Sequence, residues 1–217
     1  MSTEDPTEIL LIRPGSTDLD EQGRITGTLD VPLSDLGLDQ AIKLAENVDR
    51  FDLQAIYSSP SVAARDTAKE IAKPKKIRVR VVEQLRNIDQ GLWQGKEIEE
   101  LRTTQPKVAR QWEEHPETVC PPGGEPLESA MPRIVKLLKK IRKKHKGQTI
   151  AVVASDPLAS VVAALLKPME SEQTNASDSG LLVPSDCGAL EVLYLGDPDT
   201  IELDWLQPQV SGQQAAD

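Results

Sequence analysis

Aromatic side chains are scarce in this chain: three Trp, two Tyr and one Phe among 217 residues, within an apolar content of 38%. Its core must therefore be built from Leu, Ile, Val and Ala. Cysteine is scarcer still. Cys120 and Cys187 are too few for a disulfide framework or a zinc pattern. They read as two free thiols in a reducing compartment, Cys120 in a loop and Cys187 in the core. No apolar run approaches the ~18 residues that a membrane span needs. The opening MSTEDPTE is acidic and polar, unlike a signal peptide. Positive charge is in deficit, with a net charge of −10. That argues against nucleic acid or an anionic membrane as partner, because both need a cationic face. The expectation is a cytoplasmic α/β protein, one domain over residues 1–206 with a disordered tail at 207–217, requiring no cofactor and no metal.

Strands and helices alternate along the chain. Residues 9–13, 53–60, 77–85 and 148–155 read as strands, the last being the most hydrophobic and so central. Helices are expected at 33–51, with Leu38, Ile42, Leu44 and Ala45 on the apolar face, and at 61–73, 127–146 and 158–166. Residues 96–114 read as helical around a turn at Pro106. Around the basic run 136–147, Ile134, Leu137, Leu138 and Ile141 form one buried stripe and the run's seven Lys and Arg a solvated face, the alternative being a basic patch on which an anionic partner docks. Residues 115–126 form a Pro- and Gly-rich loop in which Glu125 is placed to cap the next helix. A polar, mobile loop follows at 170–180, then a closing strand pair at 188–196 and 200–206. Such βα alternation implies an α/β sandwich with a largely parallel sheet.

In such sheets, ligand sites form where strand C-termini meet helix N-termini. Three strands end in polar loops here, at 13–17, 58–60 and 154–157. The first, within EILLIRPGSTDLDEQGRITG, has the frame of a phosphate loop: Arg13, Gly15, Ser16 and Thr17. Yet Pro14 stands in its middle, and proline brings neither an N–H nor a titratable group.

Five segments in order resemble the histidine phosphatase superfamily, the phosphoglycerate mutase-like proteins. LIRPGSTDLDEQGRITGTLDVPLSDLGLDQA is similar to the family's opening L-I-R-H-G-E-T, and AIYSSPSVAARDTAKEIA to its I-Y-S-S-P-L-x-R-A-x-Q-T-A. LRNIDQGLWQG, PPGGE and IAVVASDP resemble L-R-E-I-D-x-G-x-W-E-G, P-G-G-E and V-V-S-H-G. The resemblance implies a three-layer α/β/α sandwich around a mixed, mostly parallel six-stranded sheet. It also implies a chemistry in which one histidine carries the phosphoryl group, two arginines and a second histidine hold its oxygens, and a glutamate protonates the leaving group.

Carried over residue by residue, that machinery is depleted. Arg13 matches the first arginine, but the nucleophile's position holds Pro14, the second arginine's Ala63 and the acid's Asn87. The second histidine falls on Ser155, or on Asp156 with a shift of one, and a phosphate-holding asparagine becomes Asp20. The two histidines present, His115 and His145, lie away from the strand ends. Losing a nucleophile or an oxyanion donor costs about two to six orders of magnitude in rate.

The leading reading is thus an inactive family member that binds a small ligand or a protein partner. The remaining pocket would comprise Arg13, Gly15, Ser16, Thr17, Asp20, Arg24, Arg86 and Asp156. Within it, Ser16 and Thr17 read as turn formers and Arg24 and Arg86 as structural salt-bridge formers. The alternative is an active phosphatase or mutase in which Asp156 or Asp20 replaces histidine chemistry. A purely structural or oligomerisation role is the third reading.

Overall fold

The computed structural model describes residues 6–114, 118–166 and 187–195. Its spine is five strands: β1 (Thr7–Ile12), β2 (Leu53–Ser58), β3 (Val79–Val81), β4 (Thr149–Val153) and β5 (Leu190–Leu195). They are ordered β3-β2-β4-β1-β5, with every pairing parallel except the antiparallel β1–β5 ladder. β4 is central, as its hydrophobicity predicted. Five strands stand among the described residues where a six-stranded sheet is expected. The remaining predicted strand at 200–206 and the loop at 170–180 lie outside them.

Two-residue periodicity assembles the three layers. Ile9, Leu11, Ile150 and Val152 pack on one side of the sheet, against α6 (Leu127–Lys144) and α7 (Leu158–Leu166). Leu10, Ile12, Ala151 and Val153 face the other, against α2 (Asp35–Val48) and α3 (Val62–Lys75). In β2 an irregularity between Leu53 and Ala55 resets the alternation, so that Leu53 and Ile56 share one face while Ala55 and Tyr57 share the other. All four residues Ile9 to Ile12 are 0% exposed, each contributing on the order of 1.5–3 kcal/mol of burial free energy.

The α6 stripe is as predicted, with Ile134, Leu137, Leu138 and Ile141 buried beside Ala130 and Met131. In α2 the phase differs. Gly37, Ala41, Leu44 and Val48 are buried, while Leu38 and Ile42 are exposed. Gly37 sets that phase, because its backbone lies against the β1 loop where no side chain fits. The expected strand 77–85 contracts to Val79–Val81, giving way to a 3₁₀ turn at Glu83–Leu85. Residues 96–114 form α4 (Ile98–Thr104) and α5 (Pro106–Glu114), separated at Pro106 as read. These two helices carry a smaller core of Ile25, Trp93, Leu101, Ala109 and Trp112 beside the sheet's C-terminal edge. Glu125 does not cap α6; its carboxylate accepts from Arg133 at 3.2 Å.

Among the described residues, no helix is long and apolar enough to cross a membrane.

Candidate functional site

β1, β2 and β4 end side by side, and their loops wall one cavity of about 410 Å³. Arg13, Pro14, Gly15, Thr17, Asp20, Arg24 and Arg86 line it with Ala63, Asn87, Ser155 and Asp156. The sequence-derived residues therefore converge, with one exception. Ser16 faces Gln40, whose Oε1 accepts from the Ser16 amide at 2.8 Å and its hydroxyl at 3.0 Å.

Backbone contact at van der Waals range shapes the β1 loop. A Cβ on Gly15 would lie 2.0 Å from the carbonyl oxygen of Gly37, and one on Gly37 would lie 1.9 Å from that of Ser16. Ser34 caps α2 and returns its own amide to Ser16 O at 2.9 Å. The loop's amides are consumed: Gly15 N–H reaches Thr67 Oγ1, Ser16 N–H reaches Gln40, and Pro14 has none. What resembles a phosphate loop therefore turns its donors inward.

Arg13 leaves β1 buried, at 6% exposure. Its Nε donates to Asp156 at 2.7 Å, Nη1 to Glu191 and Nη2 to the Ser160 hydroxyl at 3.2 Å. Ser160 in turn donates its amide and hydroxyl to Asp156, at 3.0 and 2.6 Å. Burial alone would lower the guanidinium's pKa, but Asp156 and then Glu191 outweigh it and hold it raised. Arg13 is therefore permanently charged, and its charge is neutralised inside the protein.

Asn87 uses its whole amide. Nδ2 donates to Gly27 O at 2.9 Å and to Asp156 O at 2.7 Å, while Oδ1 accepts from Ile88 and Leu158 amides at 3.0 and 3.2 Å. It fastens three cavity walls together, and a carboxylate lacks the two donors this requires.

Asp20 closes a capping box on the short helix α1 (Asp18–Glu21), accepting from the Thr17 amide and hydroxyl at 2.8 and 2.7 Å. Arg24 is structural, as read: it bonds Gly95 O at 2.7 Å and Glu97 at 2.6 Å. Arg86 is not. Its exposed guanidinium makes no ion pair or hydrogen bond with a described residue, and it lines the cavity as an uncommitted cation. Ala63 sits on the first turn of α3, where Asp30 accepts from the Val62 amide at 2.6 Å. A carboxylate of the protein itself thus occupies that helix N-terminus.

Sequence reasoning missed Asp30, Gln90, Trp112 and Cys187, which also line the cavity. Cys187 is corrected from the core to this wall. Burial, with Asp20 and Asp156 adding, pushes its thiol up to about 11 against a lowering hydrogen bond from Ser16. Cys120 is exposed, as expected of a loop thiol. His145 lies at the opposite end of the sheet: its carbonyl accepts from Thr7 Oγ1 at 2.8 Å and its ring meets the Tyr57 hydroxyl at 3.0 Å. His115 lies outside the described residues. Among the described residues, no group of three or more His, Cys, Asp or Glu could hold a metal ion.

The model for the histidine phosphatase superfamily (branch 1) matches residues 9–182. Phosphoserine phosphatase 1 of Hydrogenobacter thermophilus is 37% identical over 160 residues, 73% of this chain and 76% of its own length. A metal-independent phosphoserine phosphatase of Arabidopsis thaliana is 31% identical over 205 residues, 92% of this chain and 81% of its own. Among solved structures, a mycobacterial glucosyl-3-phosphoglycerate phosphatase complexed with VO3 superposes with a TM-score of 0.67 at 28% identity, covering 74% of this chain and 83% of the other.

Proposed function

The chain belongs to the histidine phosphatase superfamily, and from that premise we propose that it is a member whose pocket binds a ligand or partner without transferring phosphoryl groups. The observation that carries this reading is the state of Arg13. All three guanidinium nitrogens are engaged by Asp156, Glu191 and Ser160, so the charge of the residue matching the family's first phosphate-holding arginine is already met by two carboxylates of the protein, and three of its five N–H donors are spent inside the fold. Phosphoryl transfer depends on donors already aimed at the developing charge. Pro14 supplies no nucleophile beside it, and Ala63 supplies no second cation.

A second reading is favoured by the relatives themselves, which are named as phosphatases. In that reading a carboxylate of the pocket attacks phosphorus and breaks the ester P–O bond, the alcohol leaving with a proton from solvent, and water then hydrolyses the acyl phosphate to restore the carboxylate. Asp156 would first have to leave Arg13 and Ser160, and Asp20 would have to leave Thr17.

Hydrolysis of p-nitrophenyl phosphate by wild type and Arg13→Ala, from identical preparations, separates the two. The expected wild-type rate equals buffer background. A rate well above background that collapses in Arg13→Ala overturns the non-catalytic reading and makes Asp156 the next residue to substitute.

A further inference from the structure

We propose that this cavity takes a small amide-bearing monocarboxylate: a molecule with one carboxylate, an amide N–H and C=O, and an apolar body. The inference rests on the non-catalytic reading above and specifies its ligand.

Two buried polar side chains carry it. Gln90 and Trp112 are 3% and 4% exposed and both line the cavity, yet Gln90 Oε1 and Trp112 Nε1 have no hydrogen-bond partner among the described residues. The buried Ser61 hydroxyl on the same wall has none either. An indole N–H can only donate and an amide oxygen can only accept. Stranded polar atoms of this kind destabilise the empty cavity, and a ligand offering both an acceptor and a donor removes that penalty. An amide offers both.

Charge sets the rest of the ligand. Arg86 is the cavity's uncommitted cation, which suits one carboxylate. Asp156 is paired with Arg13, but Asp20 and Asp30 line the same space without an ion pair among the described residues, so a phosphate dianion would meet two uncompensated carboxylates for one available guanidinium. Ile25, Leu29, Ile98 and the Trp112 ring supply apolar walls. At about 410 Å³ the cavity suits a ligand of this size, near the lower end of small-molecule sites.

N-acetyl-L-leucine carries all of these groups and is the probe. Its binding is followed by calorimetry and by tryptophan fluorescence, since Trp112 packs edge-on against Trp93 at 5.6 Å between ring centroids. Saturable binding is expected, at least tenfold tighter than that of inorganic phosphate. Arg86→Gln, a change at an exposed side chain, should raise Kd about fivefold to tenfold. Trp112→Phe, which keeps a ring and removes the N–H, should raise it about fivefold in calorimetry. Phosphate binding more tightly than the probe, no saturation up to about 10 mM, or an unchanged Kd in Arg86→Gln would each overturn the proposal. Aryl phosphate turnover alongside intact probe binding would overturn the non-catalytic reading alone. Tighter phosphate binding with turnover at background would overturn this proposal alone.

Discussion

Asn87→Asp is the sharpest probe of how the cavity is held together. The exchange is nearly isosteric, so packing is unchanged, but it removes two donors from a side chain that is 6% exposed. Gly27 O and Asp156 O, held at 2.9 and 2.7 Å, would then face a carboxylate. Two lost hydrogen bonds and two stranded carbonyls amount to about 3 kcal/mol at neutral pH. For a chain of this size that lowers Tm by about 6–12 °C. The pH dependence has a definite sign. Burial disfavours the charged form, so the introduced carboxyl titrates above its usual range in the folded protein. Protonation returns one O–H donor, and the deficit relative to wild type must shrink as pH falls from 7.5 to 5. Urea unfolding followed by tryptophan fluorescence, with both proteins at both pH values, measures this. A variant as stable as wild type at pH 7.5, or a deficit of the same size at pH 5, would refute the clamp.

Gly15→Ala should destabilise the fold by about 3 kcal/mol or more, because its Cβ would lie 2.0 Å from the Gly37 carbonyl oxygen; an unchanged thermal melt would contradict that contact. His145 has a lowered pKa, chiefly through burial, with Arg80 and Lys144 adding against a raising bond from Gln148. Its unfolded form takes up a proton near pH 6.5 before the folded form does. Its contribution is therefore present above that pH and lost below it. Wild type should lose more stability than His145→Gln between pH 7.5 and 5.5, and parallel pH profiles would refute the assignment. Iodoacetamide at pH 8 should label exposed Cys120 and spare Cys187, whose thiol is held up to about 11. Mass spectrometry showing equal labelling of both would contradict its placement.

Local patterning made most of the fold legible. The stripe at Ile134, Leu137, Leu138 and Ile141 has one apolar face, so periodicity alone fixes which side is buried. On α2, apolar residues occupy two flanks, and the tertiary contact between Gly15 and Gly37 decides between them. The pocket's β-strand ends were legible for the same reason as the strands. Its other walls were not. Glu191 meets Arg13 across 178 positions of chain, and nothing in the spacing of either residue announces the pair. Trp112 and Cys187 reach the cavity through α5 and the approach to β5, elements whose packing no local signal encodes. Asp20 had a local signal, since Thr17 and Asp20 stand in capping-box register, but the resemblance drew attention to its charge instead.

The web around Arg13 also has an evolutionary consequence. The three nitrogens of Arg13 bond residues from α7, β5 and the β4 loop, so three separate elements constrain what position 13 can become. Replacing either acid leaves the guanidinium on the other alone, whereas replacing Arg13 leaves both acids without the cation they share. Substitutions at these three positions are therefore coupled, and the cost of each depends on which of the others has come before it. This is epistasis written in hydrogen bonds: Arg13, Asp156 and Glu191 are kept or changed as a set.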